Sequence, residues 1–341
     1  MERLAVAILM FAFLAGCGDA PPATSPPAVP DPSATATVVS PSPCPNPVHL
    51  PPLASQLPPG DYLVVASLGS MTDASGIPVS LLNAISIDGE NMGILASGVD
   101  LDVEVSPDMT RIAYWRYSAC PDCRLSIQSL RDGSKSDVPG VFTNATGHLW
   151  TPEGRKILAD VDGKVELLDI TSGDRQLLLD CPDVFDDGDC SVRAWSPDGK
   201  WIVFAVHTTR SGTVSPRDGL YLMDASCLAD PSTCDEATRG PLLPGVDAVA
   251  WSPDSRSFAV GLRQKLVVFD IETLAQSREV PVEDVTAWHG LAWSPDGQWL
   301  ALADDGAVRL LSPATGERQL VYSGREDIDA VVFWLTISSA D

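Results

Sequence analysis

The chain has 341 residues, with 46 acidic side chains against 22 basic ones and a formal charge of −24. So large an acidic excess repels phosphate, which argues against nucleic acid as a partner and against close adsorption on anionic lipid. Removing residues 1–16 would take away one Glu and one Arg, so the excess belongs to the rest of the chain.

The N-terminus opens with a charged Met1-Glu2-Arg3, followed by an apolar run over residues 4–15. Twelve residues are too few for a membrane-spanning helix of about 20 and suit the apolar region of a signal peptide. The run ends in Leu14-Ala15-Gly16-Cys17, which resembles the bacterial lipobox. That resemblance implies a signal peptide over residues 1–16, acylation of Cys17 and anchoring of the mature chain to a membrane, where several acyl chains on one residue hold firmly. Gly18 follows the cysteine where an inner-membrane retention signal would place Asp.

Residues 17–59 form the next region. From Ala20 to Pro59 lie 14 of the 29 prolines, with Ala, Ser and Thr between them. Such a stretch has too little apolar surface to offset chain entropy, and its prolines favour extended chain, so it reads as a disordered tether.

Residues 60–341 are organised differently. Tyr62–Ala66, Leu82–Ile87 and Met92–Leu95 read as strands. Then one short phrase recurs five times: Val105-Ser106-Pro107-Asp108-Met109, Trp150-Thr151-Pro152-Glu153-Gly154, Trp195-Ser196-Pro197-Asp198-Gly199, Trp251-Ser252-Pro253-Asp254-Ser255 and Trp293-Ser294-Pro295-Asp296-Gly297. The steps are 45, 45, 56 and 42 residues, a period that marks stacked supersecondary units. Pro presets φ and Asp and Gly accept tight geometry, so each phrase is a corner between two strands. A further apolar strand follows each corner strand, and Asp132-Gly133, Ser172-Gly173 or Thr315-Gly316 then turns the chain into a fourth, more polar strand.

The phrases resemble the Trp-Ser-Pro-Asp-Gly repeats of TolB-like, WD-repeat-like β-propellers, and the resemblance covers residues 61–341. It implies an all-β fold of four-stranded blades. Five corners do not mean five blades. The strands before the first corner supply the second to fourth strands of another blade, and Asp329–Phe333 parallels Asp247–Trp251 as a first strand without a blade of its own. The expectation is a six-bladed β-propeller closed by pairing N- and C-terminal strands, with no open edge.

Eight cysteines in a secreted chain point to disulfides rather than metal. Beyond Cys17, close pairs stand at Cys120/Cys123, Cys181/Cys190 and Cys227/Cys234, with Cys44 left in the tether. Cys120-Pro121-Asp122-Cys123 has the spacing of redox motifs and zinc knuckles, but it lies in a strand-to-strand turn and no second C-x-x-C is present, so a hairpin disulfide is expected. The four acidic residues over 183–189 lack the alternation of an EF-hand loop. No catalytic residues, no metal and no cofactor are expected. Only His49, His148, His207 and His289 could act as imidazole bases, and no G-x-S-x-G elbow is present.

The up-and-down course of a blade puts the corners on one face and the longer connections, among them 69–78, 116–123, 181–190, 207–218 and 281–289, on the other. Loops on a rigid scaffold carry binding residues disproportionately. Five residues before the corner Ser or Thr, where first strands enter the central funnel, stand Thr146, Ser191, Asp247 and His289, with Asp329 matching them in the closing blade. These are the ligand-binding candidates. Tyr117 and Trp288 are the interface candidates, as aromatic anchors on the long-loop face, whereas Trp195, Trp251 and Trp293 are expected to pack between blades. The functional expectation is a monomeric, non-enzymatic cell-envelope lipoprotein that binds an envelope protein or glycan. The alternatives are a small-ligand or divalent-cation sensor using the funnel, and a propeller-borne hydrolase.

Overall fold

A computed structural model describes residues 57–337 apart from 73–77, 98, 100–102, 117–123, 144, 186–187, 209–214, 283–284, 286–287, 305 and 324–327. The signal peptide, Cys17, the tether, Cys44, Tyr117, Cys120 and Cys123 all lie outside the described residues.

The described chain is built of strands β1 (Gly60–Thr72), β2 (Pro78–Ser86), β3 (Asn91–Ser97), β4 (Val103–Val105), β5 (Arg111–Arg116), β6 (Arg124–Ser129), β7 (Lys135–Asp137), β8 (Ala145–Trp150), β9 (Lys156–Val161), β10 (Lys164–Asp169) and β11 (Arg175–Asp180). A short helix α1 (Cys181–Val184) precedes β12 (Gly188–Trp195), β13 (Trp201–Thr208), β14 (Gly219–Asp224) and β15 (Thr238–Arg239). Then come β16 (Ala248–Trp251), β17 (Ser257–Leu262), β18 (Lys265–Asp270), β19 (Gln276–Pro281), β20 (Gly290–Trp293), β21 (Leu300–Asp304), β22 (Ala307–Leu311), β23 (Arg318–Ser323) and β24 (Ile328–Ile337). They form six four-stranded antiparallel sheets, one per blade. Five are consecutive in sequence and the sixth runs β24-β1-β2-β3. The C-terminal strand thus closes the first blade, pairing Gly60 with Ile337 through to Ser67 with Ile328. The fold is the six-bladed propeller that the matched ends predict.

The corner phrase earns its recurrence through hydrogen bonds. In the four Ser-Pro-Asp copies the serine hydroxyl donates to the aspartate Oδ1 at 2.5–2.7 Å and accepts from the backbone N–H five residues on at 2.9–3.0 Å. Side chain thus replaces water around a tight turn whose last residue has positive φ: Gly154, Gly199 and Gly297, but also Met109 and Ser255. Where glycine is lacking, Ser255 uses its hydroxyl to accept from the Asp198 N–H of the neighbouring blade at 3.0 Å.

Stacking the blades face to face buries both sides of the middle strands, as in β9 and β21, so these read as continuous apolar runs. Six apolar clusters fill the six seams. The first-strand tryptophans tie neighbouring blades together: the indole N–H of Trp150 donates to Glu104 O at 3.1 Å, that of Trp293 to Ala250 O at 3.2 Å and that of Trp334 to Ala292 O at 3.1 Å. Turns add to this. A Cβ at Gly89, in the outer turn of the first blade, would collide with Val321 O of β23 in the sixth, so only glycine allows that close approach.

Candidate functional site

On the face opposite the corners, a cavity of about 560 Å³ opens between the third and fourth blades. Three carboxylates line it: Asp160 at the end of β9, Asp162 in the β9–β10 turn, and Asp189 in β12. Ser191 and Arg193 of β12 and His207 of β13 complete its wall. Strand alternation explains the grouping. Asp189 and Ser191 alternate with the core residues Cys190 and Val192 as far as the bulge at Arg193, beyond which Ala194 packs in the next seam. His207 stands directly across from Asp189 in the β12–β13 register. Asp160 is 2% exposed, and Asp162 accepts from the Thr143 hydroxyl at 2.6 Å. Loss of surrounding water, and then the charge of Arg193, holds the His207 imidazole below its ordinary pKa against the pull of Asp218 and Asp189. The imidazole is therefore neutral at pH 7.

The disulfide Cys181–Cys190 pins α1 to β12 beside this cavity. A second, Cys227–Cys234, staples the 3₁₀ turns Ala225–Ala229 and Pro231–Thr233 on the corner face. Both pairs are as expected, and disulfides of this kind form outside the cytoplasm.

Of the five funnel candidates, Ser191 lines the cavity. Asp247 is engaged elsewhere, its Oδ2 accepting from the Arg263 N–H at 3.1 Å in the β17–β18 turn. His289 joins the β20–β21 ladder through its backbone, donating to Ala303 O. Thr146 and Asp329 fall at bulges in β8 and β24, where they are skipped in the pairing register. Asp160, Asp162, Arg193 and His207, not the other four candidates, line this cavity with Ser191. Sequence reasoning missed Asp160, Arg193 and His207 as partners because a blade seam, not sequence proximity, unites them.

One interface expectation is corrected. Trp288 is not an exposed anchor: it is 7% exposed, its indole N–H donates to Arg263 O at 2.7 Å, and it packs with Val282, Val285 and Leu266. Val282, Val285 and Trp288, in the connection before β20, are all buried in the seam between the fifth and sixth blades. The corner tryptophans do sit in seams, as expected: Trp251 is 7% exposed, and Trp195 and Trp293 pack against apolar clusters.

The family "WD domain, G-beta repeat" matches residues 283–312, which hold the fifth corner phrase and the strands on either side of it. Among solved structures, TolB from Acinetobacter baumannii superposes with a TM-score of 0.60 at 19% identity, covering 81% of this chain and 66% of that one. The chain folds as a TolB-like propeller. It spans about two thirds of the length of that TolB chain. A chain from a nidogen/laminin complex also matches this propeller, with a TM-score of 0.57 at 10% identity, over 82% of this chain and 100% of that one. No curated protein matches the sequence. With 1150 solved chains sharing the propeller's shape, the architecture by itself discriminates no function.

Proposed function

We propose that this chain is a non-enzymatic binding scaffold of the cell envelope, anchored through an acylated Cys17 and held off the membrane by its proline-rich tether, which binds another envelope protein or a glycan through its long-loop face as a monomer. The observation that carries this reading is a ring of six complete four-stranded blades, the first closed by β24, whose connections opposite the corner phrases share one face. Six closed, core-filled seams make a rigid platform, and the loops that such a platform positions are the part free to specialise. That a chain of similar fold is found in a nidogen/laminin complex adds support for a protein partner. The disulfides agree with an extracytoplasmic address.

In-cell photocrosslinking tests the working face. Probes at Val141, Asp183, Arg217 and Gln264, on the long-loop side, should capture one discrete partner, while Lys200 and Gln298 at the corners should not. Capture from the corner positions alone would reverse the faces. Replacing Cys17 by Ser should move the chain from the membrane to the soluble fraction in its native host; equal partitioning of both forms would remove the anchor from the proposal.

A further inference from the structure

On the corner face, successive blades cover one another. A Cβ at Gly154 would lie 3.6 Å from Pro107, at Gly199 3.2 Å from Pro152 and at Gly297 3.9 Å from Pro253, so each of these corners rests against the proline of the blade before it. Across the seam between the fourth and fifth blades the Ser255 hydroxyl accepts from the Asp198 N–H. The seam between the sixth and first blades has no such cover. The first two strands of the closing blade, β24 and β1, come from opposite ends of the chain and are not joined by a corner phrase; they meet there as Thr336 and Asp61, whose side chains share a hydrogen bond of 2.7 Å. Pro295, in the corner of the sixth blade, therefore faces a groove of about 430 Å³.

The floor of this groove is apolar and its rim is anionic. Trp299 and Leu310 of the sixth blade and Trp334 of the first line it, and Ile87, in the β2–β3 turn at its outer end, is 39% exposed. Asp61, Asp88 and Asp296 stand along the same walls, all exposed, with no Lys, Arg or His among the lining residues. Carboxylates on the fourth strands of other blades are matched within the fold: Asp137 by Arg116 at 2.6 Å, Asp180 by Lys164 at 2.6 Å and Glu279 by Lys265 at 2.9 Å. None of the three groove carboxylates forms an ion pair with a described residue.

We propose that this groove docks an extended segment of a partner protein that carries an apolar side chain flanked by lysine or arginine, the apolar group entering beside Ile87 and Trp299 and the cations pairing with Asp61, Asp88 and Asp296. The volume takes a few side chains and not a folded domain, so the occupant is a segment. Burying its apolar group against the floor supplies affinity, while the unmatched carboxylates select the sign of charge and hasten encounter. The formal charge of −24 acts in the same direction. This surface lies on the face opposite the one proposed above and does not depend on that reading. Lys200 and Gln298 are not among its lining residues and keep their place as controls there.

The test titrates the intact chain by calorimetry with the peptide acetyl-Gly-Lys-Leu-Lys-Gly-amide, beside acetyl-Gly-Glu-Leu-Glu-Gly-amide and acetyl-Gly-Lys-Gly-Lys-Gly-amide. The first should saturate with a Kd below about 1 mM and weaken as ionic strength rises from about 0.05 M to about 0.5 M; the other two should not saturate. Asp88→Lys and Ile87→Ser, both at exposed positions, should each weaken binding about tenfold, or about 1.4 kcal/mol, at unchanged melting temperature. Leu320→Ser, at a 58% exposed position of β23 outside the lining, should leave binding unaltered, as should Val141→Asp on the long-loop face. The proposal is overturned if the Lys-Leu-Lys peptide does not saturate, if either control peptide binds as tightly, if Asp88→Lys or Ile87→Ser binds like the parent, or if Val141→Asp abolishes binding, which would move the peptide to the long-loop face.

Discussion

Trp288→Ala is the sharpest test of how the fifth and sixth blades are held together. The indole is 7% exposed and touches a cluster that includes Val282, Val285, Leu266 and Leu300. A tryptophan of this kind buries about 200 Å², which at about 25 cal/mol per Å² corresponds to about 5 kcal/mol of transfer free energy. The bond to Arg263 O adds about 1 kcal/mol net. Measured tryptophan and phenylalanine truncations fall at about 3–5 kcal/mol because the cavity partly collapses, so a loss of about 4 kcal/mol is expected, read as a lowered midpoint in guanidinium unfolding followed by circular dichroism. Gly261 provides the control. A Cβ there would lie 2.5 Å from the indole Cδ2, so Gly261→Ala should be strongly destabilising alone and nearly neutral in the Trp288→Ala background. A loss below about 1 kcal/mol for Trp288→Ala, or additive effects of the two changes, would refute this packing and return Trp288 to the surface.

Four further outcomes are expected. Met109→Gly and Ser255→Gly both relieve a left-handed residue, φ 55° and 59°, but only the second removes a hydrogen bond between blades, so Met109→Gly should come out more stable by about 1 kcal/mol in thermal unfolding. Deleting Ile328–Ile337 should open the ring and abolish a single cooperative transition in calorimetry; a truncated chain that melts as sharply at the same temperature would contradict closure. Asp304, 4% exposed, is paired with Arg309 at 2.9 Å, so Arg309→Ala should cost about 3 kcal/mol while Asp304→Leu with Arg309→Met restores most of it. The carboxyls of Asp254 and Asp296 are held below the usual range by the hydroxyls of Ser252 and Ser294 and then by the N–H groups of Arg256 and Gln298. A folded value below the unfolded one gives stability that is present at neutral pH and lost as pH falls through the folded value. Ser252→Ala and Ser294→Ala should therefore destabilise more at about pH 7 than at about pH 2, and equal losses at both would count against the corner bonds.

The amino-acid sequence determined the repeat, and through it the blade, the count and the closure. Each corner is local: the Ser hydroxyl and the Asp carboxylate make their hydrogen bonds within five residues and Pro presets the turn, so the phrase signals itself wherever it occurs. Blade closure was legible because Asp329–Phe333 repeats the first-strand pattern of Asp247–Trp251, and the strands before the first corner supply only the second to fourth strands of a blade. The disulfides Cys181–Cys190 and Cys227–Cys234 were legible for the same reason, being separated by 9 and 7 residues. What the tertiary structure decided lies between blades. Trp288 occupies a connection, which in sequence reads as surface, and only the fifth and sixth blades reveal the gap it fills. The cavity is of the same kind: Asp160 and Arg193 are 33 positions apart and meet because two sheets stack, while a single-residue bulge, which leaves no mark on hydrophobic periodicity, sets where Arg193 points. Periodicity specifies the contacts a strand makes with its own neighbours; the wall of a seam depends on register and stacking, which are properties of the closed ring.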